Sequence, residues 1–313
     1  WLAALGFFGY ALVALWVAVI GKELLIGRYR AVRTPAWSGL HLRHWLVVRL
    51  VRLVPWPLFE GTEAKSMALR ALGARIGQRV HIHRGVDVLS GGWDLLEIGD
   101  DVTLGREVHP GVAELDDGHL VLGPVRIGAG ATFATRAGCG PDVEVGAGAF
   151  VQPLGYVAAG SRIGAGQAWD GVPARAVGAA PSVARDDVAA KELSPWLYTV
   201  VLLGLRFVQA PVAALPFTAL VWLCAHWAGA DGAGLVQWMC EAGPSSQPTW
   251  WWATVLFAVL AVPLGLLAQA AFLRWSPKIP AGTHPRWSWL HLQLQVRSEV
   301  VEAAGLWLSG TLF

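Results

Sequence analysis

The segment 106–120 concentrates residue types that can move protons. It holds the histidines His109 and His119 together with the carboxylates Glu107 and Glu114. A histidine titrates near neutral pH and can take a proton from a hydroxyl or an amine. These residues would support general acid–base catalysis, and loop histidines without a catalytic role are the alternative.

The rest of the sequence lacks the residue patterns of other common chemistries. Its cysteines, Cys139, Cys224 and Cys240, form no CxxC pair, so they predict neither a zinc site nor a disulfide framework. A formal net charge of +2 excludes an electrostatic nucleic-acid binder. The glycine-rich runs follow a regular repeat and do not form a GxGxxG phosphate loop. We therefore expect no metal and no nucleic acid.

The element that must position the segment 106–120 is a six-residue repeat. Apolar residues recur at every sixth position, each usually followed by a small residue: Val121, Ile127, Phe133, Cys139, Val145, Val151, Val157, Ile163 and Trp169. Neither the helical period of about 3.6 residues nor the strand period of about two explains this spacing, whereas a β-helix does. Each unit predicts one flat side and one corner of a triangular coil, with its apolar residue pointing inward.

The same repeat predicts where the coil is regular and where it is interrupted. His81 and His83 alternate with apolar residues, so we expect them on the outer surface of an early coil. The predicted segments are three regular coils over 121–174, two irregular coils over 76–105, and interrupting loops at 89–97 and 106–120.

The end of the repeat region resembles a known family. The stretch Gly171-Val172-Pro173-Ala174-Arg175 is similar to the Gly-x-Pro-Ala-Arg/Lys terminus of hexapeptide-repeat acyltransferases, and the resemblance covers about 76–178. It implies a left-handed parallel β-helix that transfers an acyl group from coenzyme A or a carrier-bound pantetheine to a hydroxyl or an amine. It also implies sites in clefts between neighbouring β-helices, usually in homotrimers.

This resemblance implies roles for individual residues. His109 matches the catalytic histidine of sugar acetyltransferases in the family, with Glu107 or Glu114 to orient the ring and His119 as a second candidate. The residues implied to bind the thioester donor are Arg175, Arg162, Gly146 and Ala174. The acidic residue that closely follows His-Pro in those enzymes is absent here, where Gly111 and Val112 stand.

The composition predicts membrane segments. Hydrophobic residues make up 55% of the chain, charged residues 15%, and the mean hydropathy is +0.48. Crossing a bilayer takes about 20 apolar residues, and uncharged stretches of this length cover 1–21, 207–227 and 250–273. The apolar stretch 196–205 extends the second into one long kinked helix or a re-entrant pair. Basic residues follow the first and third spans, so we expect an integral membrane protein with 22–195 on the cytoplasmic side.

A long-period repeat divides the chain. The sequence PAWSGLHL at 35–42 recurs as PRWSWLHL at 285–292, with six of eight positions identical. An amphipathic stretch follows each copy, and the first one, 40–54, either lies in the headgroup plane or packs under the globular module. The expected order is a transmembrane helix with a basic connector (1–33), an amphipathic helical segment (34–73), the β-helix domain (74–178), a linker (179–195), transmembrane helices (196–273) and the start of a second, truncated repeat unit (274–313).

The order of these features resembles the C-terminal membrane region of non-ribosomal peptide synthetases of the epsilon-poly-lysine synthetase type. The features shared with that region are the apolar membrane stretches, the repeated PxWSxLHL sequence and the hexapeptide-repeat domain. The resemblance implies a piece of a longer protein whose carrier domain delivers an aminoacyl group on phosphopantetheine. It implies membrane lipid, that carrier domain and neighbouring β-helix modules as partners. The family has a histidine where Ala113 stands, which leaves open a degenerate copy.

Three functions are compatible with these patterns. The first is acyl or aminoacyl transfer from a phosphopantetheine thioester, and the second is a membrane-bound, coenzyme A-dependent O- or N-acetyltransferase. The third is a catalytically inactive β-helix scaffold. A membrane exporter is less favoured, because the predicted spans contain few polar groups and translocation paths need them.

Overall fold

The computed structural model describes residues 2–181, 193–227, 248–280 and 287–308. These residues form two compact units. The first contains residues 2–181 with Ser194–Leu203, and the second contains Leu193 and the described residues from Gly204 onward. All of the predicted site residues lie in the first unit.

A parallel β-helix of hexapeptide repeats forms the first unit's core. Thr132 lies opposite Phe150 and Cys139 opposite Val157, so each strand pairs with the strand 18 residues further along the chain. This offset is the length of one coil with three six-residue sides. The prediction of a hexapeptide β-helix is therefore confirmed. Its left-handedness stays a prediction from the resemblance to hexapeptide-repeat proteins.

The strands stack into three faces. The first face contains β2 (Arg75–Ile76), β4 (Leu96–Ile98), β9 (Val125–Ile127), β12 (Val143–Val145) and β15 (Arg162–Ile163). The second face contains β3 (His81–Ile82), β5 (Thr103–Leu104), β10 (Thr132–Phe133), β13 (Phe150–Val151) and β16 (Gln167–Gly171), with β17 (Ala174–Ala179) antiparallel at its edge. The third face contains β6 (His109–Pro110), β11 (Gly138–Cys139) and β14 (Tyr156–Val157).

A column of apolar side chains fills the coil. Trp169 lies opposite Val151 at the end of this column and is half-buried, because it closes the column rather than filling it. The side chains that fill the column are each 4% exposed or less: Ile127, Phe133, Cys139, Val145, Val151, Val157 and Ile163.

The prediction that the regular coil begins at Val121 is wrong. Val121 lies on β8 (His119–Leu122), which forms an antiparallel hairpin with β7 (Ala113–Asp116) and pairs with β1 (Val32–Pro35). The regular coil begins at Val125. Strand residues alternate with a period of about two. Since six is a multiple of two, a hairpin strand can match the hexapeptide spacing by chance.

Three helices precede the coil: α1 (Leu2–Leu25), α2 (Gly39–Val51) and α3 (Glu63–Ala71), with a short 3-10 segment at Trp56–Phe59 before α3. A second 3-10 segment, Trp93–Leu95, lies within the coil between β3 and β4. The Ser38 Oγ begins α2 by accepting a hydrogen bond from the His41 N–H at 3.2 Å. One side of α2 buries Val47 and Val51 and packs against α1. One side of this helix therefore packs within the unit, and the placement of its exposed side, with Leu42, Trp45 and Leu46, in the headgroup plane stays a prediction.

A buried polar cluster joins α1 to the coil. Lys22 is 1% exposed, and its Nζ lies 2.9 Å from Asp94 Oδ2 beside β4. The Tyr29 hydroxyl lies 3.2 Å from His44 Nδ1. Burial lowers the pKa of His44 to about 4, so the ring that shares this hydrogen bond with the tyrosine hydroxyl is neutral at pH 7. Because a buried charge without a partner is strongly destabilising, the Lys22–Asp94 pair holds α1 against the coil.

The second unit contains most of α4 (Pro195–Trp227), with α5 (Pro248–Trp275) and α6 (Trp289–Leu308). Arg206 of α4 donates to Glu299 of α6, with Nε 3.2 Å from Oε2. The Ser288 Oγ accepts from the His291 N–H at 3.2 Å, as Ser38 does in the first copy of the repeat. The same N-cap therefore begins both amphipathic helices.

The described residues include one helix, Ala4–Leu25, that is long and apolar enough to cross a membrane, judged by length and composition. The two other predicted spans fall on α4 and α5, whose described residues do not meet the same criterion. Most of the predicted linker 179–195 lies outside the described residues, as do residues 228–247 between the second and third predicted spans and Pro285 and Arg286 of the second repeat copy. The three-span topology stays a prediction.

Candidate active site

His109 lies on a strand of the coil and not in a loop. Its strand β6 pairs with β11, which pairs with β14, and this register stacks His109, Gly138 and Tyr156 in three successive coils. The next residues along these strands, Cys139 and Val157 among them, are buried in the apolar column. Because side chains alternate across a strand, the side chains of His109 and Tyr156 point outward.

Asp87 continues this row in the preceding coil. Its N–H donates to the Val108 carbonyl at 2.9 Å, as the His109 N–H donates to the Ala137 carbonyl at 3.0 Å. Asp87 therefore occupies in the first coil the position that His109 occupies in the second. Neighbouring strands lie about 4.8 Å apart, which brings the two side chains into contact. We call Asp87, His109, Gly138 and Tyr156 the active row.

A carboxylate–imidazole pair lies at the start of the active row. His109 Nδ1 lies 3.1 Å from Asp87 Oδ2. Hydrogen bonds from His109 and from Ser90, whose Oγ lies 2.6 Å from Oδ2, lower the pKa of Asp87 to about 2. The ionised carboxylate can only accept, so Nδ1 carries the hydrogen and Nε2 of the neutral ring is a proton acceptor.

The same contact tunes the basicity of the ring. The hydrogen bond to Asp87 raises the pKa of His109, burial opposes it, and the charges of Asp87 and Glu114 raise it further. The His109 side chain is 40% exposed, so a reacting group can approach it. The pair therefore provides an accessible base whose orientation is held by a charged acceptor.

A second polar pair lies further along the active row. The Tyr156 hydroxyl donates to Glu114 Oε1 of the hairpin strand β7. Burial and the bonded Glu114 carboxylate raise the pKa of Tyr156, so the phenol keeps its hydrogen at neutral pH. Glu114 thus lies in the site, bonded to the tyrosine rather than to the His109 ring.

Gly138 separates the two pairs. A Cβ at this position would lie 3.1 Å from the His109 carbonyl oxygen and 3.2 Å from the Tyr156 ring. Both distances are below ordinary van der Waals contact. A side chain at residue 138 would therefore displace the tyrosine, so glycine is what lets the Tyr156 ring pack over the buried strand β11.

The remaining predicted catalytic residues lie apart from this arrangement. Glu107 occupies a corner with a φ of 56° and accepts from Arg136, with Oε2 2.6 Å from Nε. It therefore does not orient His109, and Asp87 does. His119 lies on the hairpin strand β8, where its Nδ1 is 2.7 Å from the Asp117 carbonyl oxygen.

Sequence reasoning missed Asp87, Ser90 and Tyr156. Asp87 precedes His109 by 22 residues, which is one coil lengthened by the excursion before β4. Val88 could have revealed this, because it follows Ile82 by six residues and so occupies an inward apolar position of the repeat. Aligning the coils on that position places Asp87 directly beside His109.

The predicted donor-binding residues lie on other faces of the coil. Arg162 and Gly146 belong to the first face, and Ala174 and Arg175 belong to β17, where Arg175 is opposite Asp170. A groove of about 760 Å³ runs along the first face. Its outward row alternates in charge, and Arg162 is bonded there to Glu144: Arg75, Glu97, Arg126, Glu144 and Arg162.

This alternation argues against the first face as the reaction site, although its groove is large. Each carboxylate in the row lies between two guanidinium groups, and Arg126 and Arg162 hold the pKa of Glu144 below its usual range. A phosphate at Arg162 would share that guanidinium with the Glu144 carboxylate and be repelled by its charge. Across the described residues, no three His, Cys, Asp or Glu side chains gather as a metal-ligand set.

Comparisons with known proteins agree with the sequence pattern. No family model matches the chain. Delta-poly-L-ornithine synthetase of Acinetobacter baumannii (strain AB307-0294) is 30% identical over 162 residues, which is 52% of this chain and 12% of that synthetase.

Solved structures of hexapeptide-repeat proteins also match. A maltose O-acetyltransferase from Clostridium difficile 630 is 17% identical, with a TM-score of 0.38 over 51% of this chain and 97% of that one. A hexapeptide-repeat acetyltransferase from Vibrio cholerae O1 biovar eltor, complexed with acetyl coenzyme A, is 14% identical, with a TM-score of 0.33 over 47% of this chain and 91% of that one. The curated match confirms, over its 162 residues, the resemblance of this chain to a synthetase of the poly-amino-acid type.

Proposed function

We propose that the β-helix transfers an acyl or aminoacyl group from a phosphopantetheine thioester to an amine or a hydroxyl, with His109 as the general base. The observation that carries this proposal is the Asp87–His109 pair on an exposed row of the coil. The chain spans only 12% of its curated relative. A carrier domain of the same polypeptide is therefore the proposed source of the thioester.

In the proposed reaction, the acceptor nitrogen or oxygen attacks the thioester carbonyl carbon. His109 Nε2 takes the acceptor proton as the new bond forms. Asp87 stabilises the resulting imidazolium through the Nδ1 hydrogen bond, as an orienting carboxylate does in hydrolytic triads. The carbon–sulfur bond then breaks, and the imidazolium returns its proton to the thiolate that leaves.

Tyr156 and Glu114 complete the proposed site by holding the acceptor. In the register, Tyr156 lies two strands from His109 on the same outward row, a distance of about 10 Å, so an acceptor bound to this pair would lie near the His109 ring. The protonated phenol can donate to an acceptor oxygen, and the Glu114 carboxylate can accept from an amine. In this proposal these two residues bind, and His109 moves the proton.

We further propose that the module is anchored to the cytoplasmic face of a bacterial membrane through α1. Only 22% of the apolar window in Ala4–Leu25 is buried, so most of it is open to lipid. Trp16 and Leu24 are 67% and 81% exposed. A homotrimer or neighbouring β-helix modules of one longer chain would provide the cleft around the active row.

The experiment is a transfer assay with the full chain in lipid nanodiscs. The name of the curated relative mentions ornithine, so the first donor is an ornithyl thioester of phosphopantetheine, with ornithine as the acceptor and mass spectrometry of the product as the measurement. Transfer that is lost in His109→Ala and kept in His119→Ala supports the proposal. Transfer from acetyl coenzyme A alone supports the acetyltransferase instead, and no transfer from either donor supports the inert scaffold.

A further inference from the structure

The outer side of α2 is apolar, although its inner side already packs within the unit. Val47 and Val51 of the inner side are fully buried. On the outer side, Leu42, Trp45 and Leu46 are 65%, 47% and 40% exposed. A helix that buries one side in a globular domain normally carries polar residues on the other. We call the exposed residues of the stretch 40–54 the outer face: Leu42, Arg43, Trp45, Leu46, Arg49, Arg52 and Leu53.

The charges on the outer face are all positive. They belong to Arg43, Arg49 and Arg52, and residues 24–59 contain no Asp or Glu. Arg49 lies over the Trp45 ring, with Cζ 5.2 Å from the ring centroid. The Arg43 Nε donates to the Gly39 carbonyl at 3.2 Å. Neither contact neutralises a charge, so the outer face presents apolar surface interleaved with positive charge.

We propose that the outer face of α2 lies in the headgroup region of an anionic membrane leaflet. Such a leaflet offers hydrocarbon to the leucines and the tryptophan, and phosphate groups to the arginines. A second copy of the chain fits less well. A two-fold dimer sets the same patch against itself, which would bring arginine against arginine with no carboxylate from this stretch between them.

The packing of α2 on α1 brings the outer face to the membrane. The Tyr10 hydroxyl donates to the Leu53 carbonyl at 2.7 Å. A Cβ at Gly21 would lie 2.6 Å from Leu50 Cδ1, so the two helices are in close contact there as well. The end of α2 therefore lies against the middle of α1. The inference rests on the proposed anchoring through α1, because a lipid contact of α1 carries α2 with it.

The arginines set the depth of this pair of helices. Tyr10 and Gly21 both lie inside the apolar window Ala4–Leu25. Placing the centre of that window in the centre of the bilayer would carry Arg49 and Arg52 into hydrocarbon, where a charge is costly. At headgroup depth the same arginines meet phosphate. Trp37, which is 100% exposed just before α2, agrees with this depth, because tryptophan favours the membrane–water interface.

The test is photo-crosslinking of the full chain in nanodiscs of phosphatidylglycerol and phosphatidylcholine. The photoreactive residue p-benzoylphenylalanine replaces Leu42 on α2, Leu12 on α1 or Leu154 on the coil, one position at a time. Leu154 is the matched control, because it is 64% exposed and Leu42 is 65% exposed. Mass spectrometry identifies what each position captures. We expect lipid at residues 42 and 12 and none at residue 154.

The other outcomes separate this inference from the proposed anchoring. Lipid at residue 12 with none at residue 42 overturns the inference and leaves the anchoring intact. An absence of lipid at both positions overturns the anchoring and the inference with it. Capture of a second copy or of another protein segment at residue 42, in place of lipid, identifies a different occupant and overturns the inference. The transfer assay is independent of all three results.

An arginine variant tests the charge. One basic residue near an anionic surface strengthens binding by about fivefold. Arg49→Gln should therefore lower the lipid yield at residue 42 by up to about fivefold, and nanodiscs of phosphatidylcholine alone should lower it further. The matched control, Arg126→Gln, removes an exposed arginine from the first face and should keep the yield. Equal yields from anionic and neutral nanodiscs would overturn the proposed preference for an anionic leaflet. A thermal unfolding curve shows that both variants are folded.

Discussion

The active row and the outward row of the first face have the same backbone geometry and opposite chemistry. Both stack one side chain per coil along parallel strands. The first-face row alternates Arg75, Glu97, Arg126, Glu144 and Arg162, so that every internal charge has opposite charges on both sides. The active row sets one carboxylate, one imidazole, one glycine and one phenol side by side.

The difference between the two rows shows that in this fold one face of the coil can serve stability while another presents side chains that can react. In a row of alternating charge, each carboxylate is bonded to neighbouring guanidinium groups. No side chain in that row is then left available to accept a proton from a substrate. In the active row, Asp87 is bonded to Nδ1 of His109, and the His109 side chain remains 40% exposed. A base with one nitrogen held and the other free is the arrangement that general-base catalysis needs.

His109→Ala should have the largest effect of any change in either row. We expect the transfer rate to fall by about 10²–10⁴-fold, because the variant loses the proton acceptor. The measurement is the rate of product formation at saturating donor. A loss of less than about threefold would mean that the active row is not where the reaction occurs, and the module would then be a scaffold.

Asp87→Asn should lower the rate by about 10²-fold and move its pH dependence. The base must be neutral, so the wild-type rate rises with pH through the raised pKa of His109, above the ordinary value of 6.5. Losing the carboxylate lowers that pKa, so the rising limb moves to lower pH while the plateau falls. The measurement is kcat/KM across pH 5–9, and an unmoved limb would contradict the assigned role of Asp87.

Gly138→Ala should destabilise the fold by about 1–3 kcal/mol, since overpacking a tight site has this cost. The new Cβ would press on the Tyr156 ring and weaken its bond to Glu114. Chemical denaturation measures the change, and KM for the acceptor should rise with it. Gly39→Ala is the control, because a Cβ there meets nothing within 4 Å.

The Asp87–His109 pair should also make stability depend on pH. The pKa of His109 is raised on folding, so its contribution is present below 6.5 and is lost as pH rises through the folded value. The pKa of Asp87 is lowered from 3.8 to about 2, so its contribution is present above 3.8 and is lost as pH falls towards 2. Asp87→Asn should therefore destabilise the chain more at pH 5.5 than at pH 8.5, as followed by thermal unfolding.

Arg126→Gln should have the smallest effect. Exposed ion pairs contribute little to stability, because water and salt screen them. We expect the transfer rate to change by less than about twofold and the unfolding midpoint to stay nearly constant. A loss comparable to that of Asp87→Asn would show that the first face takes part in the reaction. The assignment of the reaction to the active row alone would then be wrong.

The sequence predicted the regular part of the coil because its constraint is local. Every sixth residue from Ile127 to Ile163 fills the same narrow column, so each hexapeptide repeats the same pattern of apolar and small residues. The start at Val121 failed because a β-hairpin also places apolar residues at even spacing. His109 was found through a resemblance, and Asp87 was missed because its distance along the chain depends on the length of an inserted excursion.

The first repeat copy shows the same limit. The N-cap at Ser38 is a local signal and recurs at Ser288. The packing of α2 depends on residues far along the chain. It packs against α1, and α1 is held in place by the contact between Lys22 and Asp94. No spacing rule connects these positions.

The sequence by itself determined that this chain contains a hexapeptide coil, where its regular part lies, and that His109 is the residue to examine. The tertiary structure alone decided which carboxylate holds that histidine and which arginines are bonded within a ladder. The physical reason is that hydrophobic burial imposes a short period that can be read along the chain. Hydrogen bonds and ion pairs form between coils, where distance in space is set by the stacking of strands and not by separation in sequence.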